Sequence, residues 1–475
     1  MTKYKILQGH VTDVLKTLPA NSVHCVVTSP PYFGLRDYGT AEWEGGDSTC
    51  AHEGTEVRTA PPGTHKQASN KGSVGVRSGD CWKCGAKRKD SQIGLEPTPE
   101  DYVADLVEVF REVRRVLRED GTVWLNLGDS YCGSRVNDGT VNPGISQDRK
   151  RGQLAGTTRP NTKIDGLKQK DLVGIPWRVA FALQADGWFL RNDIIWHKPN
   201  PMPESVTDRC TRSHEYIFLL SKNGYYFYDA DAIREPHARE WDATNGGNLS
   251  PAGNHKANGK RRERGGNYPK PNPLGRNKRT VWTITTYAYE GAHFATFPVE
   301  LPEVCILAGT SEHGCCPQCG SPWIRIVDKT EYQPDEVEPG ERRVDASRAD
   351  KTRKLSGAEY NKTVRILGQG WAPTCTCYGF SPDDLPEYLT DATEEERASI
   401  LTRRINKLQE WATLPVVPCT VMDIFCGSGT TGMVAVSHKR EFIGIELNPE
   451  YVVLGHTRIL EGDKRLPELT EELPF

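Results

Sequence analysis

Residues 421–446, VMDIFCGSGTTGMVAVSHKREFIGIE, decide the fold class. The apolar run 421–425 predicts a strand, and the glycines that follow it predict a tight loop. A helix is expected to begin near Thr430, and EFIGIEL predicts a second strand that ends close to Glu446. A strand, a glycine loop, a helix and a second strand in this order are typical of α/β proteins that bind nucleotide-like ligands.

The loop itself predicts a ligand that carries adenosine. Its glycines satisfy the G-x-G-x-x-G spacing at Gly427, Gly429 and Gly432, and Glu446 follows at the distance expected of an acid that binds ribose hydroxyls. NAD, FAD and S-adenosylmethionine all fit this pattern, as does a simple tight turn between packed elements.

The composition describes a globular chain of more than one domain. The 475 residues are 36% hydrophobic, which is enough to bury a large core. No run of about 18 apolar residues predicts a membrane span, and the first residues lack the apolar region of a signal peptide, so a cytoplasmic location is expected. A net charge of −3 gives no global nucleic-acid signature, so a basic binding surface must be local.

Helical and strand patterns alternate before the glycine loop as well. TPEDYVADLVEVFREVRRVLREDG (98–121) predicts a helix with Thr98 or Asp101 as N-cap and Gly121 as C-cap. GIPWRVAFALQADG (174–187) predicts a helix, whereas TVWLNLGD, FLRNDIIWHKP and HEYIFLLSK predict strands. The alternation indicates a parallel sheet covered by helices on both faces.

The first strong strand, in SVHCVV, runs into TSPPY (28–32). A plain corner more often uses glycine or asparagine, whereas two prolines hold the backbone extended and rigid. Such stiffness indicates that a backbone group must be held in a fixed direction.

Together, TSPPY, DIFCGSGTTG and FIGIELNPEY resemble the amino-methylating DNA methyltransferases, in the permuted order in which the catalytic strand precedes the cofactor loop. VWLNLGDSY, LRNDIIWHKPNPMPESVTDRCTRSHEYIFLLSK and HFATFPVELPEVCILAGTSE resemble the intermediate segments of that family in the same order, so the resemblance spans nearly the whole chain. It implies a Rossmann-like class I S-adenosylmethionine-dependent methyltransferase with a mainly parallel sheet and with inserted zinc-knuckle and target-recognition segments. It also implies double-stranded DNA as substrate in a bacterial or archaeal cell; whether the gene is viral, and whether a cognate restriction endonuclease accompanies the chain, stay open.

The resemblance assigns roles to the tetrapeptide Ser29, Pro30, Pro31 and Tyr32. The Ser29 hydroxyl and the Pro30 carbonyl would accept hydrogens of the base's amino group, and Tyr32 would stack on a base swung out of the duplex. Family members that begin this motif with Asp or Asn typically serve adenine N6, and the Ser version resembles the cytosine N4 group. We therefore expect cytosine N4, with adenine N6 as the first alternative.

The resemblance places the cofactor against residues of two segments: Asp423, Phe425, Gly427, Gly429, Thr430 and Glu446 in the loop region, and Phe294, Thr296, Phe297 and Pro298 in the segment that closes over its methionine part. One position departs from the family pattern, because His10 stands where related enzymes often have an acid that contacts the adenine amino group.

Cysteine spacing predicts up to two structural zinc sites. Cys50, His52, Cys81 and Cys84 form one set of ligands, and Cys316, Cys319, Cys375 and Cys377 form another, with Cys315 as a competing ligand. Reduced thiols or a redox CxxC are the other interpretations, although neither CxxC follows a strand and begins a helix.

The local basic surface is predicted between 233 and 280, where Lys and Arg number 11 against 4 Asp and Glu. A solvated basic loop is the alternative, and 149–170 supplies a second basic stretch. We expect the following organisation: 1–35 with 94–230 as the catalytic half of the core, 36–93 as an insertion with a zinc knuckle, 231–285 as the target-recognition segment, 286–312 with 412–475 as the cofactor-binding half, and 313–411 as an insertion with a second zinc knuckle.

Other classes of function remain open on sequence grounds. They are an RNA methyltransferase, an NAD-dependent oxidoreductase that uses the same glycine loop, and a non-catalytic zinc protein that binds DNA. A C5-cytosine methyltransferase is disfavoured, because Pro418 and Cys419 precede the glycine loop and its Pro-Cys nucleophile should follow.

Overall fold

The computed structural model describes residues 3–34, 40, 42–47, 49–50, 81, 83–89, 91–132, 166–236, 274–287, 296–329, 333–334, 362–363, 366–379, 382–386 and 393–462. The helices are α1 (Val11–Thr17), α2 (Pro99–Val116), α3 (Ile175–Ala185), α4 (Glu300–Gly309), α5 (Glu394–Trp411), α6 (Thr430–Ser437) and α7 (Pro449–Glu461). The strands are β1 (Tyr4–Gln8), β2 (Val23–Thr28), β3 (Glu42–Glu44), β4 (Lys87–Lys89), β5 (Leu117–Leu127), β6 (Phe189–His197), β7 (His214–Ser221), β8 (Val281–Thr283), β9 (Ile324–Lys329), β10 (Gln333–Pro334), β11 (Lys362–Thr363), β12 (Ile366–Ala372), β13 (Thr420–Asp423) and β14 (Glu441–Glu446). None of the helices in these ranges is long and apolar enough to span a bilayer.

An eight-stranded sheet carries the site, with strand order β1-β14-β13-β2-β5-β7-β6-β8. The neighbours from β1 to β5 pair in parallel, β7 runs antiparallel to β5 and β6, and β8 pairs in parallel with β6. The prediction of a Rossmann-like, mainly parallel sheet is confirmed, with β7 as the reversed strand. From β2 the chain crosses to β5 and from β13 to β14, in opposite directions, so the topological switch point of the sheet lies between β2 and β13.

Helices cover both faces of this sheet, as the alternating side chains of β5 show. Val123, Leu125 and Leu127 belong to the apolar core that includes the buried residues of α2 and α3. Thr122 and Trp124 point the other way, where Gly309 of α4 packs so closely that a Cβ there would lie 2.7 Å from the Thr122 hydroxyl. The predicted two-sided covering is therefore confirmed.

Helix α2 begins as predicted and ends earlier than predicted. The Thr98 side chain accepts a hydrogen bond from the Asp101 N–H at 3.1 Å, which is the N-cap. The C-cap prediction of Gly121 is wrong, because the helix ends at Val116 and Leu117 is already paired with Val23 of β2. Gly121 instead lies inside β5, where a Cβ would meet the Leu117 side chain at 2.7 Å, so the glycine permits close packing.

The described chain forms two compact units, 1–228 with 279–322 and 416–475 as the first, and 229–278 with 323–415 as the second. The first unit contains the eight-stranded sheet and the short β3–β4 hairpin. In the second unit, the antiparallel β9–β12 pair packs against α5, whose N-terminus has a capping box formed by Thr393 and Glu396. The finer division expected from the sequence stays a prediction.

Candidate active site

The two sequence motifs face one cavity of about 740 Å³ in the first unit. It opens at the carboxyl ends of β2, β13 and β14, where ligands of open α/β sheets bind. The predicted residues among its lining are Ser29, Pro30, Pro31, Tyr32, Thr296, Phe297, Phe425, Gly427, Thr430 and Glu446. His10 also lines the cavity, whereas Phe294 lies outside the described residues.

Two contacts fix the backbone of the proline corner, which is formed by Ser29–Tyr32. The Tyr102 hydroxyl donates to the Pro31 carbonyl at 2.9 Å, and Gly94 packs so closely that a Cβ there would lie 3.2 Å from the same oxygen. The Pro30 carbonyl, in contrast, accepts no hydrogen bond from any of the described residues. The Pro31 carbonyl is therefore used within the fold, whereas the Pro30 carbonyl is not bonded to any of the described residues.

The Tyr32 side chain is anchored by its hydroxyl. It donates to the Glu215 carboxylate at 2.7 Å, Asn126 Oδ1 lies 3.1 Å away, and the Ser29 hydroxyl donates to it at 3.4 Å. Burial, and then the negative charge of Glu215, raise the pKa of Tyr32 well above its usual value, so its hydroxyl stays protonated. The ring is fixed as well, because a Cβ at Gly128 would lie 2.5 Å from a ring carbon.

The glycine loop and Glu446 form a matched pair. One carboxylate oxygen of Glu446 accepts the Gly427 N–H at 2.8 Å, and the other accepts the Asn448 N–H at 2.8 Å. Each oxygen keeps a second lone pair for a ribose hydroxyl. A Cβ at Gly427 would meet no heavy atom nearer than 4.0 Å, so space is open above the loop, and these residues fit the adenosine part of S-adenosylmethionine. Burial raises the pKa of Glu446.

Three residues assigned to the cofactor by resemblance, Asp423, Gly429 and Pro298, do not line the cavity. The buried Asp423 carboxylate accepts the hydroxyls of Thr28 and Thr431, each at 2.7 Å, and the Phe425 N–H at 3.1 Å. Burial raises its pKa to about 6 despite these donors. Asp423 therefore ties β2, β13 and α6 together behind the cavity.

Gly429 is likewise a packing residue. It lies in the left-handed region with φ of 78° as the N-cap of α6, and a Cβ there would lie 2.9 Å from Gly455 Cα of α7. Arg458 of α7, which is buried, donates to the hydroxyls of Ser428 and Thr430 at 2.7 and 2.8 Å. Helix α7 thus packs against the glycine loop and is hydrogen-bonded to it.

Sequence reasoning gave no role to the other half of the cavity, which comes from the ends of β6 and β7 and the loops beside them. Lys198 forms an ion pair with Glu215, and its ammonium lies 4.2 Å from the centre of the Trp196 ring. Asn200 joins the loop to Thr286 by backbone and side-chain hydrogen bonds of 3.0 to 3.2 Å. The only available signal was that WHKPNP and HEYIFLLSK belong to segments that resemble the family.

The first predicted zinc set is brought together as far as it is described. The sulfur atoms of Cys50, Cys81 and Cys84 lie within 4.8 Å of one another, and those of Cys50 and Cys81 are 3.8 Å apart. Tetrahedral ligation with Zn–S bonds of about 2.3 Å places sulfurs about 3.8 Å apart, so the three thiolates fit zinc. His52, the predicted fourth ligand, lies outside the described residues.

The two CxxCG turns share one backbone geometry. The glycine N–H donates to the carbonyl of the first cysteine, Gly85 to Cys81 at 2.7 Å and Gly320 to Cys316 at 2.8 Å, with φ of 73° and 71° at the glycines. Cys316 and Cys319 lie in the first unit and Cys375 and Cys377 in the second, so the four-thiolate site stays a prediction.

Cys315 belongs to a different group, with His24 and Cys419. His24 Nδ1 accepts the Thr420 N–H at 3.0 Å and Nε2 bonds to the Gly320 carbonyl at 2.8 Å, so neither ring nitrogen offers a lone pair to a metal. The Cys315 thiol donates to the Val417 carbonyl at 3.3 Å, and the close contact of the two thiols lowers the pKa of Cys419 and raises that of Cys315. This cluster is hydrogen-bonded core rather than a metal site.

Most of the basic stretch expected to meet DNA, 237–273, lies outside the described residues, as does 149–165. In the described flanks, Arg234 pairs with Asp231, and Arg276 pairs with Glu235 at 3.2 Å. These two charges are therefore partly neutralised within the second unit.

A Rossmann-like sheet that brings a glycine loop, the Glu446 carboxylate and a proline corner to one cavity is the architecture of an S-adenosylmethionine-dependent methyltransferase. Comparison with known proteins gives the family: the N6_N4_Mtase DNA methylase family matches residues 23–316 and 419–456. The type II methyltransferase M.Cfr9I of Citrobacter freundii is 39% identical over 328 residues, covering 69% of this chain and 80% of that protein. M.XycI of Xanthomonas campestris pv. cyanopsidis is 33% identical over 454 residues, covering 96% and 87%.

The chain therefore belongs to the N6/N4 DNA methylase family, whose members methylate amino groups of DNA bases with S-adenosylmethionine as donor. Among solved structures, PvuII DNA methyltransferase (cytosine-N4-specific) aligns with a TM-score of 0.42 and 14% identity, covering 98% of this chain and 94% of that chain. Because the chain belongs to this family, a DNA methyltransferase replaces the hypotheses of an NAD-dependent oxidoreductase, an RNA methyltransferase and a non-catalytic zinc protein that binds DNA.

Proposed function

We propose that this protein transfers a methyl group from S-adenosylmethionine to the N4 amino group of cytosine in double-stranded DNA. The observation that carries the proposal is that the Ser29–Tyr32 corner and the Gly427–Glu446 pair line the same cavity. Ser29 at the head of the tetrapeptide favours cytosine over adenine, following the pattern of the family that the motif resembles.

The residues of the corner solve the chemical difficulty of the reaction. An exocyclic amino nitrogen shares its lone pair with the ring, so it becomes nucleophilic when acceptors take up its hydrogens. Ser29 Oγ and the Pro30 carbonyl supply two acceptors, and the prolines fix the direction of the second before the base arrives. S-adenosylmethionine, when bound, would supply the methyl group: the C–N bond forms as the C–S bond breaks, S-adenosylhomocysteine leaves, and the amino nitrogen releases one proton to solvent.

The base must leave the duplex to reach these acceptors. Tyr32 lines the cavity with its hydroxyl anchored below, so we propose that its ring stacks on the extruded base. Trp196 and Lys198 also line the cavity and would enclose the rest of the base.

The alternative is adenine N6, since a hydroxyl acceptor serves either amine. Duplex DNA incubated with the enzyme and donor should be digested to nucleosides and analysed by mass spectrometry. N4-methylcytosine supports the proposal, whereas N6-methyladenine without N4-methylcytosine refutes the base choice. A single-stranded transcript offered in parallel should remain unmethylated.

We also propose that one zinc ion is bound by Cys50, Cys81, Cys84 and His52. A second zinc ion would be bound by Cys316, Cys319, Cys375 and Cys377. A zinc knuckle would stabilise a segment that lacks enough apolar residues to fold alone. Elemental analysis of the purified protein tests the first site: Cys81→Ser should remove about one zinc per chain. Cys210→Ser, which changes an exposed free cysteine, is the control and should remove none. Equal zinc in both variants contradicts the assignment.

A further inference from the structure

The direction of one hydrogen decides whether Ser29 helps the reaction. A hydroxyl has one hydrogen and two lone pairs, so it acts as donor or acceptor according to where its hydrogen points. An amino group that must lose electron density through its hydrogens requires an acceptor. Ser29 therefore has to give its own hydrogen to something other than the base.

The cavity wall contains the recipient. Ser29 Oγ and the Tyr32 hydroxyl are 3.4 Å apart, and the Tyr32 hydroxyl lies 2.7 Å from Glu215 Oε2. An ionised carboxylate only accepts, so Tyr32 donates to Glu215 and its oxygen is left to accept from Ser29. Asn126 Oδ1, 3.1 Å from the same hydroxyl, is a second acceptor and enforces the same direction.

The carboxylate at the end of this chain is itself held in place. Lys198 forms an ion pair with the other oxygen of Glu215. Asn126 Nδ2 donates to Glu215 Oε2 at 3.3 Å and to the Tyr216 carbonyl at 3.1 Å. The Glu215 and Lys198 side chains are only 14% and 19% exposed, so solvent screens the pair weakly.

We propose that Glu215 is a positioning residue which, acting through the Tyr32 hydroxyl, turns the lone pairs of Ser29 toward the amino group of the target base. Glu215 touches neither base nor donor in this scheme. Its role is separate from the stacking role of the Tyr32 ring. The 3.4 Å contact shortens when a base fills the cavity, as hydrogen bonds of catalytic groups commonly do on substrate binding. The inference rests on the proposed function and explains how its first acceptor is prepared.

A double-mutant cycle tests it. Tyr32→Phe keeps the ring and removes the hydroxyl, and Glu215→Gln keeps the shape and removes the charge. Each should slow single-turnover methyl transfer by about tenfold, the effect of one misdirected hydrogen bond, with donor and DNA affinities unchanged. In a Ser29→Ala background neither change should slow the reaction further, because no Ser29 hydrogen remains to be directed.

Matched controls lie outside the cavity. Tyr226→Phe removes a hydroxyl that accepts from Arg191 at 3.3 Å, and Glu119→Gln removes a carboxylate paired with Lys222 at 2.7 Å. Both should leave the rate unchanged in either background. If Glu215→Gln unfolds at a lower temperature than the wild type, the rates of the near-isosteric Tyr32→Phe, measured with Ser29 and in the Ser29→Ala background, test the inference without it.

The outcomes separate this inference from the proposed function. Equal losses with and without the Ser29 hydroxyl indicate a merely structural role and overturn the inference, as does a full rate in Tyr32→Phe. Failure of the unaltered enzyme to methylate any base amine would instead refute the proposed function, and this inference with it.

Discussion

Replacing Gly429 by alanine measures how much stability depends on the close approach of α6 and α7 at the glycine loop. Alanine in the left-handed region, at φ of 78°, costs about 1–2 kcal/mol. Its Cβ would also lie 2.9 Å from Gly455 Cα and 3.0 Å from Gly455 O, which are backbone atoms of α7 and cannot rotate away. Overpacking of this kind costs about 1–3 kcal/mol more, so we expect a total destabilisation of about 2–5 kcal/mol.

Gly174→Ala is the matched control for Gly429→Ala. Gly174 is the N-cap of α3 with φ of 79° and ψ of 23°, in the same left-handed region as Gly429, and a Cβ there would meet nothing within 4 Å. It should therefore lose only the conformational part, about 1–2 kcal/mol. The difference between the two variants measures the contact with Gly455.

Urea unfolding and calorimetric titration with S-adenosylmethionine provide the two measurements. Gly429→Ala should be less stable than Gly174→Ala by about 1–3 kcal/mol and should bind the donor at least about tenfold more weakly, because α6 and the loop must shift. Gly174→Ala should bind the donor normally. If the two variants unfold at the same urea concentration, the argument that α6 and α7 require this close approach is wrong.

Three further predictions concern the interior and the cavity wall. Burial raises the pKa of Asp423 to about 6. The stability that its protonated form contributes is therefore present below about pH 4 and lost as pH rises through 6. In urea unfolding at pH 5 and at pH 8, the wild type should lose stability at the higher pH relative to Asp423→Asn. Gly128→Ala places a Cβ 2.5 Å from the Tyr32 ring and should slow methyl transfer at least about tenfold, whereas Gly224→Ala, with no atom nearer than 3.8 Å, should not; equal rates contradict the packing argument. Tyr32→Ala should abolish turnover while donor affinity survives, and unchanged methylation would refute the stacking role.

Local patterns predicted the elements of the sheet because each one carries its own signal. The alternation of apolar runs and glycine loops gave β2, β13, α6 and β14, and Thr98 marked the start of α2. The end of α2 was misplaced at Gly121 because glycine ends helices and also permits close packing in strands. Only the pairing of Leu117 with Val23, which is tertiary, distinguishes the two uses.

The partners of the tetrapeptide were beyond the reach of local patterns. Tyr32 bonds to residues 94 and 183 positions away, Asn126 and Glu215, and both arrive because β5 and β7 are neighbours in the sheet. A sequence pattern identifies a residue type at a strand end, but the strand order decides which strand ends meet. The reversed direction of β7 matters most, since it brings the first residues of that strand, rather than its last, to the edge where β2 and β5 end.

Two carboxylates at the ends of adjacent strands show why the remaining assignments need a structure. Asp423 ends β13 and Glu446 ends β14, and from sequence both fit a cofactor acid. Thr28 and Thr431 donate to Asp423, while Glu446 receives only backbone N–H groups and keeps lone pairs toward the cavity. Thr28 is 395 residues from Asp423, so its hydroxyl could not be foreseen from the sequence. Because Thr28 and Thr431 both donate to Asp423 inside the protein, Glu446 is the acid that we propose for the ribose.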